Sequence, residues 1–264
     1  MFEVWSRHTE LIHLLHLGTL DYSTALELQR TLVELRHQQQ IGDALLLLEH
    51  PAVITLGRNA HDNNLLASRE QLAARGIELF ETNRGGDITY HGPGQLVGYP
   101  IFDLRGFSPR IGAVDYVRRI EEVLVRTCGE LGILCERQPG LTGVWTQTDL
   151  PSPGSGKEPS REGGKKIAAI GIHISRGITS HGFALNVTTD LHDFELIVPC
   201  GINDKAVTSI EQEIDTTIRR MPTFEEVANM VSANFGRVFS RQVLWCETLD
   251  VLLKSAPSLI NVES

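Results

Sequence analysis

Arg84-Gly-Gly-Asp-Ile-Thr-Tyr-His-Gly-Pro-Gly-Gln95 and the β-forming run that follows it to Leu104 decide how the chain is read. Glycines and a proline punctuate Ile88-Thr89-Tyr90 and Gln95 to Leu104, which predicts two strands joined at Gly92-Pro93-Gly94 as a hairpin. The glycines do not form a dinucleotide fingerprint. The spacing Gly92-x-Gly94-x-x-x-Gly98 misses the Rossmann pattern, and no helix follows. A backbone this bare can come very close to whatever lies above it, either as the wall of a ligand pocket or as a tightly twisted hairpin.

Outward from this stretch, helices and strands mix without a regular βαβ alternation. Leu11 to Leu15 reads as an edge strand or a loop. Asp21 caps a helix whose apolar positions Ala25, Leu28, Leu32 and Leu35 recur three or four apart. Ala44 to Leu48 and Val53 to Leu56 read as strands on either side of Glu49-His50-Pro51. Ser68 with Gln71 opens a short helix ending at Gly76, and Ile77 to Phe80 is a further strand. Val114 to Leu131 gives the longest helix, with Val117, Ile120, Leu124 and Cys128 on one side and Gly132 as its stop. Lys166 to Ser175 and His181 to Val187 flank a turn at Arg176-Gly177. Thr223 and Glu226 open a last helix bearing Val227, Met230, Val231 and Phe235. The order predicts an α+β fold with a mixed, largely antiparallel sheet and flanking helices.

Gln147 to Gly164 stands apart, because three prolines lie among serine, glycine and charged residues and Leu150 is its only aliphatic side chain. It cannot bury enough surface to order itself, and is expected to be a mobile loop. Within it, Gly154-Ser155-Gly156-Lys157 lacks the spacing of a phosphate loop.

A chain of 264 residues, 41% hydrophobic, can bury a sizeable core. Its formal charge of −9 argues against a general nucleic-acid binder, which would carry a basic stripe. No apolar run approaches the roughly 20 residues needed to cross a bilayer. Cys128, Cys135, Cys200 and Cys246 form no Cys-x-x-Cys pair, and the first residues lack the blocks of a signal peptide, so free thiols in the cytoplasm are expected. Ten histidines offer no metal-ligand spacing, and no metal is expected.

Cys200 is the candidate nucleophile. It lies between Pro199 and Gly201, a pair that favours a sharp turn, and a thiol at a turn can face a pocket. The alternative is a buried small hydrophobe. A neighbouring lysine would favour the thiolate by opposite charge, and Lys165 and Lys166 lead into the small-residue strand Ile167 to Gly171; a solvated lysine ending a loop is the alternative. A hydrolase pair of Cys200 with His91 or His181 carries no protease signature.

Four segments in order, Arg84 to Gln95, Lys166-Ile-Ala-Ala-Ile-Gly171, Ser180-His-Gly-Phe-Ala-Leu-Asn186 and Pro199-Cys-Gly201, resemble the lipoyl (octanoyl) transferase family of the lipoate-protein ligase B type. Glu49-His50-Pro51 and Thr55-x-Gly57 also fit, so the resemblance covers residues 40 to 215. It implies one catalytic domain over residues 1–264 with the biotin/lipoate protein ligase fold. The implied activity is the first step of endogenous protein lipoylation, without ATP or another cofactor. Cys200 would take the octanoyl group from octanoyl acyl carrier protein as a thioester, and a lysine of a lipoyl domain would then receive it as an amide. Lipoyl domains of 2-oxo acid dehydrogenase complexes and the glycine cleavage H protein are the implied acceptors. Lys166 would lower the thiol's pKa and move protons. Arg84, Gly85, Gly86, Asp87, Ile88, Thr89, Tyr90 and His91, with Ala169, Ile170, Gly171, Gly182, Phe183 and Ala184, would line the substrate pocket.

The 147–164 insert is longer than the family pattern leads one to expect. Because the implied partners are acidic like this chain, docking would need local cations, for which Arg58, Arg84, Lys165 and Arg176 are candidates. The rivals are an ATP-dependent lipoate or biotin ligase, which would not need Cys200, and a non-catalytic acyl-binding protein, which would need no nucleophile.

Overall fold

The structure, a computed structural model, describes residues 11–147, 164–198 and 206–254. Eleven strands of these residues form two sheets. The larger has the order β11-β1-β2-β6-β10-β9-β8-β7, with β1 Leu11–Thr19, β2 Asp43–Glu49, β6 Gln95–Ile101, β7 Cys135–Gln138, β8 Leu141–Thr146, β9 Lys166–Ser175, β10 Ile178–Asn186 and β11 Gln242–Trp245. The smaller has the order β4-β3-β5, with β3 Val53–Leu56, β4 Glu78–Glu81 and β5 Ile88–His91. From β2 to β7 every pairing in the large sheet is antiparallel, and only β11-β1-β2 runs parallel.

The run Leu45 to Leu48 shows why the sheet has a layer on each side. Leu45 and Leu47 enter one core with helices α3 (Ala113–Glu130) and α5 (Phe224–Phe239), whereas Leu46 and Leu48 enter a second core under α1 (Tyr22–His37). A strand buried on both faces reads as continuous apolar sequence. In α3, Ile120, Val123, Leu124 and Cys128 recur at helical spacing and are fully buried, meeting Phe235 of α5 in the same core. Capping boxes at Ser68 and Thr223 open α2 (Arg69–Ala74) and α5, and Ser209 caps the short α4 (Ile210–Glu213) that precedes α5. Asp21 occupies the cap position of α1, but its side chain makes no capping hydrogen bond.

The expected hairpin is not formed. β5 pairs with β3, and β6 lies between β2 and β10 with both edges used. Gly92-Pro93-Gly94 is therefore a corner at which the chain passes from one sheet to the other, fastened where the Gly94 amide donates to Glu49 Oε1 at 2.8 Å. β1 is not an edge either, because the four-residue β11 pairs beside it.

The 147–164 loop falls mostly outside the described residues, as does Cys200. On either side of the loop, the Thr146 amide donates to the Lys165 carbonyl at 2.8 Å and the Lys165 amide to Thr146 Oγ1 at 3.0 Å, so the chain leaves and re-enters the sheet at one place.

Candidate active site

A cavity lies where the small sheet meets β9 and β10. Arg84, Gly86, Asp87, Ile88, Thr89 and His91 line one side, and Ala169, Ile170, Gly171, Gly182, Phe183 and Ala184 the other. Two candidates do not line it. Tyr90 points away from it, donating its hydroxyl to Asp193 Oδ2 at 2.9 Å and packing edge-on against Phe194. Gly85 instead donates its amide to the Ile172 carbonyl at 2.8 Å, laying the glycine-rich segment across β9. That contact requires Gly171, because a Cβ there would come within 2.7 Å of the Gly85 carbonyl oxygen.

Arg84 is buried and fixed. Its Nε and Nη2 donate to Thr55 Oγ1 at 3.1 and 2.9 Å, Nη2 also donates to the Thr55 carbonyl at 2.6 Å, and Nη1 donates to the Gly85 carbonyl at 3.1 Å. Only 7% of it is exposed, which removes it from the candidate docking cations. Lys165 and Arg176 are exposed but paired, with Glu213 and Glu34. Arg58 is exposed.

Tyr22, Tyr99 and His181 also belong to this wall, although no sequence motif assigns them to it. His50 Nδ1 lies 2.6 Å from the Leu20 carbonyl, which can only accept, so Nδ1 carries the proton and Nε2 accepts from the Tyr99 hydroxyl at 2.7 Å. His91 Nδ1 lies 2.7 Å from Gln95 Oε1, while Gln95 Nε2 donates to Asn186 Oδ1 and the Tyr90 carbonyl. His181, at φ 56°, sits 2.7 Å from Asn83 Oδ1 through Nε2. Burial lowers the pKa of His50 to about 4. Burial, reinforced by nearby His50 and Arg84, lowers His91 to about 3, and burial with Arg84 does the same to His181. All three are neutral imidazoles at neutral pH and weak bases, matched poorly to proton abstraction there.

Lys166 stands beside this cavity. A smaller recess shares Thr89, Ala169 and Ala184 with it and adds Lys166, and an outer groove shares Gly86, Asp87 and Ile170 and also reaches Lys166. A bulge directs it there. Val144 pairs with Ala168 but Trp145 pairs with Lys166, so β9 carries one extra residue. Ile167 and Ala168 then both enter the main core, and the alternation is reset so that Lys166 joins Ala169 at the cavity. Neighbouring Lys165 goes to the surface.

The described residues on both sides of the Cys200 segment are fastened to these walls. The Val198 amide donates to the Asn64 carbonyl at 2.8 Å, at the outer groove, and the Lys166 amide donates to the Ala206 carbonyl at 2.8 Å. Cys128, Cys135 and Cys246 are free and buried. Among the described residues no group of three His, Cys, Asp or Glu side chains could hold a metal ion, and no helix is long and apolar enough to cross a membrane.

Residues 21–236 match the family described as the lipoyl protein ligase A/B catalytic domain. The chain belongs to that family. It is 57% identical over 249 residues to the octanoyltransferase of Koribacter versatilis, covering 94% of this chain and 92% of that protein. It is 58% identical over 254 residues to the octanoyltransferase of Acidobacterium capsulatum, covering 94% and 98%. The fold is similar to that of lipoate-protein ligase A bound with ATP (TM-score 0.63, 17% identity, 93% of each chain). It is also similar to the bi-partite lipoate protein ligase of Thermoplasma acidophilum (TM-score 0.60, 17% identity, 91% of this chain and 86% of that one). The biotin/lipoate protein ligase fold expected from the sequence is thus the fold of this family member.

Proposed function

We propose that this protein is an octanoyltransferase that moves an octanoyl group from octanoyl acyl carrier protein to a lysine of a lipoyl domain, through a thioester on Cys200. The observation that carries this reading is Lys166, buried beside a pocket walled by Ala169 and Ala184, with the described neighbours of the Cys200 segment tied to its own strand and to the adjoining groove. High identity to octanoyltransferases along nearly the whole chain supports it.

In the first half-reaction the Cys200 thiolate attacks the carrier thioester. A carbon–sulfur bond to Cys200 forms, the bond to the carrier sulfur breaks, and the departing thiolate takes a proton from the Lys166 ammonium. Exchanging one thioester for another is nearly isoenergetic, so no adenylate is needed. In the second half the acceptor lysine, as a neutral amine, attacks the acyl-enzyme. The amide forms, Cys200 leaves as its thiolate, and the proton lost by the acceptor passes to the neutral Lys166 amine, restoring the starting ion pair. Ile88, Ala169, Ile170 and Ala184 offer the apolar wall an octanoyl chain needs. Arg84, Gly86, Asp87, Thr89, His91, Gly171, Gly182 and Phe183 complete it.

Residues 1–264 act as one catalytic domain in this reading, and the free thiols of Cys128, Cys135 and Cys246 suit the cytoplasm. Acceptors are the lipoyl domains of 2-oxo acid dehydrogenase complexes and the glycine cleavage H protein. The test is ATP-free transfer from octanoyl acyl carrier protein to apo lipoyl domain. The parent protein is expected to transfer and Cys200→Ser to lose transfer; parent activity in Cys200→Ser, or a strict requirement for ATP, overturns the reading.

A further inference from the structure

Two residues of β8 surround the Lys166 side chain. Gly143 has φ +129°, and a Cβ built there would stand 2.8 Å from Lys166 Cε and 2.7 Å from the Ala168 carbonyl oxygen. The stem of Lys166 therefore runs through the space that any other residue at 143 would fill. Two positions along, Trp145 pairs in register with Lys166, is 1% exposed, and places its ring centre 5.1 Å from Lys166 Nζ, within the range at which a ring face attracts a cation. β8 is itself pinned at this point. The Gly143 amide donates to Glu121 Oε1 at 3.2 Å, and the fully buried Glu121 also accepts from Arg118 at 2.6 Å, which fixes the strand to α3.

We propose that Gly143 and Trp145 are positioning residues for Lys166, forming a cradle in which the gap at 143 receives the stem and the indole face holds the ammonium at the cavity. The inference rests on the acyl-transfer reading of Lys166 and adds how that lysine is held. A lysine head on a four-carbon stem samples many rotamers, and a proton donor must be at one place when the leaving thiolate needs it. A cradle of backbone space and ring face restricts the stem without neutralising the charge. An ammonium held at one place is the charge by which Lys166 would favour a thiolate. Glycine and an aromatic ring are thus required at 143 and 145 for different reasons, and only the second can be replaced without moving backbone.

The test compares Trp145→Leu, Trp145→Phe, Gly143→Ala and Lys166→Ala in the full chain. Single-turnover acylation by octanoyl acyl carrier protein is followed together with the pH midpoint of Cys200 alkylation, and an unfolding midpoint checks the fold. Trp145→Leu keeps an apolar side chain but removes the π face, and is expected to slow acylation about tenfold and raise the alkylation midpoint, with KM for the carrier substrate changed by less than about threefold. Trp145→Phe should recover the rate to within about threefold of the parent. Gly143→Ala should act in the direction of Trp145→Leu wherever its unfolding midpoint shows a folded protein. If Lys166→Ala raises the alkylation midpoint but Trp145→Leu keeps the parent midpoint and rate, the cradle is overturned while the role of Lys166 stands. Equal losses in Trp145→Leu and Trp145→Phe mean packing alone and also overturn it. If Lys166→Ala moves nothing, the acyl-transfer role of Lys166 falls and the cradle falls with it.

Discussion

Arg84 is clamped on Thr55, giving that residue hydrogen bonds of 3.1 and 2.9 Å to its hydroxyl and 2.6 Å to its carbonyl. The guanidinium thereby ties the glycine-rich segment to the middle strand of the small sheet and sets one wall of the cavity. A lysine has a single rotatable head and cannot reproduce a planar fork. Arg84→Lys is expected to lower unfolding stability by about 1–3 kcal/mol, since buried acceptors on Thr55 lose donors, and to slow transfer. Thr55→Val removes only the hydroxyl acceptor and should cost less. Chemical denaturation of both variants checks the order; a parent-like Arg84→Lys would contradict it.

His50, His91 and His181 give a pH dependence of definite sign. Their folded pKa values of about 4, 3 and 3 lie below the ordinary histidine value of 6.5, so between these limits the unfolded chain binds more protons than the folded one. Stability then rises with pH in that window, and it is lost as pH falls from about 6.5 toward 4. Each such histidine adds at most about 1.4 kcal/mol per pH unit to the slope. Thermal midpoints measured from pH 7 to pH 4.5 should fall steadily, and more shallowly for His91→Gln than for the parent. Equal slopes would mean that His91 is not held neutral.

Ala169 and Ala184 face each other in register on β9 and β10 and share the cavity wall. Ala184→Val adds two methyl groups to a confined apolar space. The substitution is expected to cost about 1–3 kcal/mol of stability. It should also reduce octanoyl transfer more than transfer of a shorter acyl group. Kinetics with octanoyl and butanoyl carrier substrates measure this, and an unchanged preference would remove Ala184 from the acyl-chain wall.

Much of this arrangement is visible in the sequence because it follows from local chemistry. The capping boxes at Ser68 and Thr223, the apolar stripe of α3 and the Arg176-Gly177 turn between β9 and β10 are written in adjacent residues. What is not visible depends on partners distant along the chain. Ile88 to His91 and Gln95 to Ile101 both read as strands, but which strand each pairs with is decided by Val53 to Leu56 on one side and by β2 and β10 on the other. Gln242 to Trp245 is too short and too exposed to announce a strand, yet it covers the edge of β1. In the cavity, the glycine-rich motif pointed to Arg84 and His91. Tyr22 and Tyr99 look like ordinary core aromatics until the fold brings them to the same wall. The His50-Pro51 motif was a signal for the His50–Tyr99 hydrogen bond, since a buried imidazole needs a partner.

The most direct measurement of the central claim is the intact mass of the protein after incubation with octanoyl acyl carrier protein in the absence of ATP. One added octanoyl group is expected, mapped by peptide analysis to Cys200, that disappears when apo lipoyl domain is added and reappears there on a lysine. An unmodified protein that still transfers octanoate to the lipoyl domain, or an octanoyl group found on any residue other than Cys200, would contradict it.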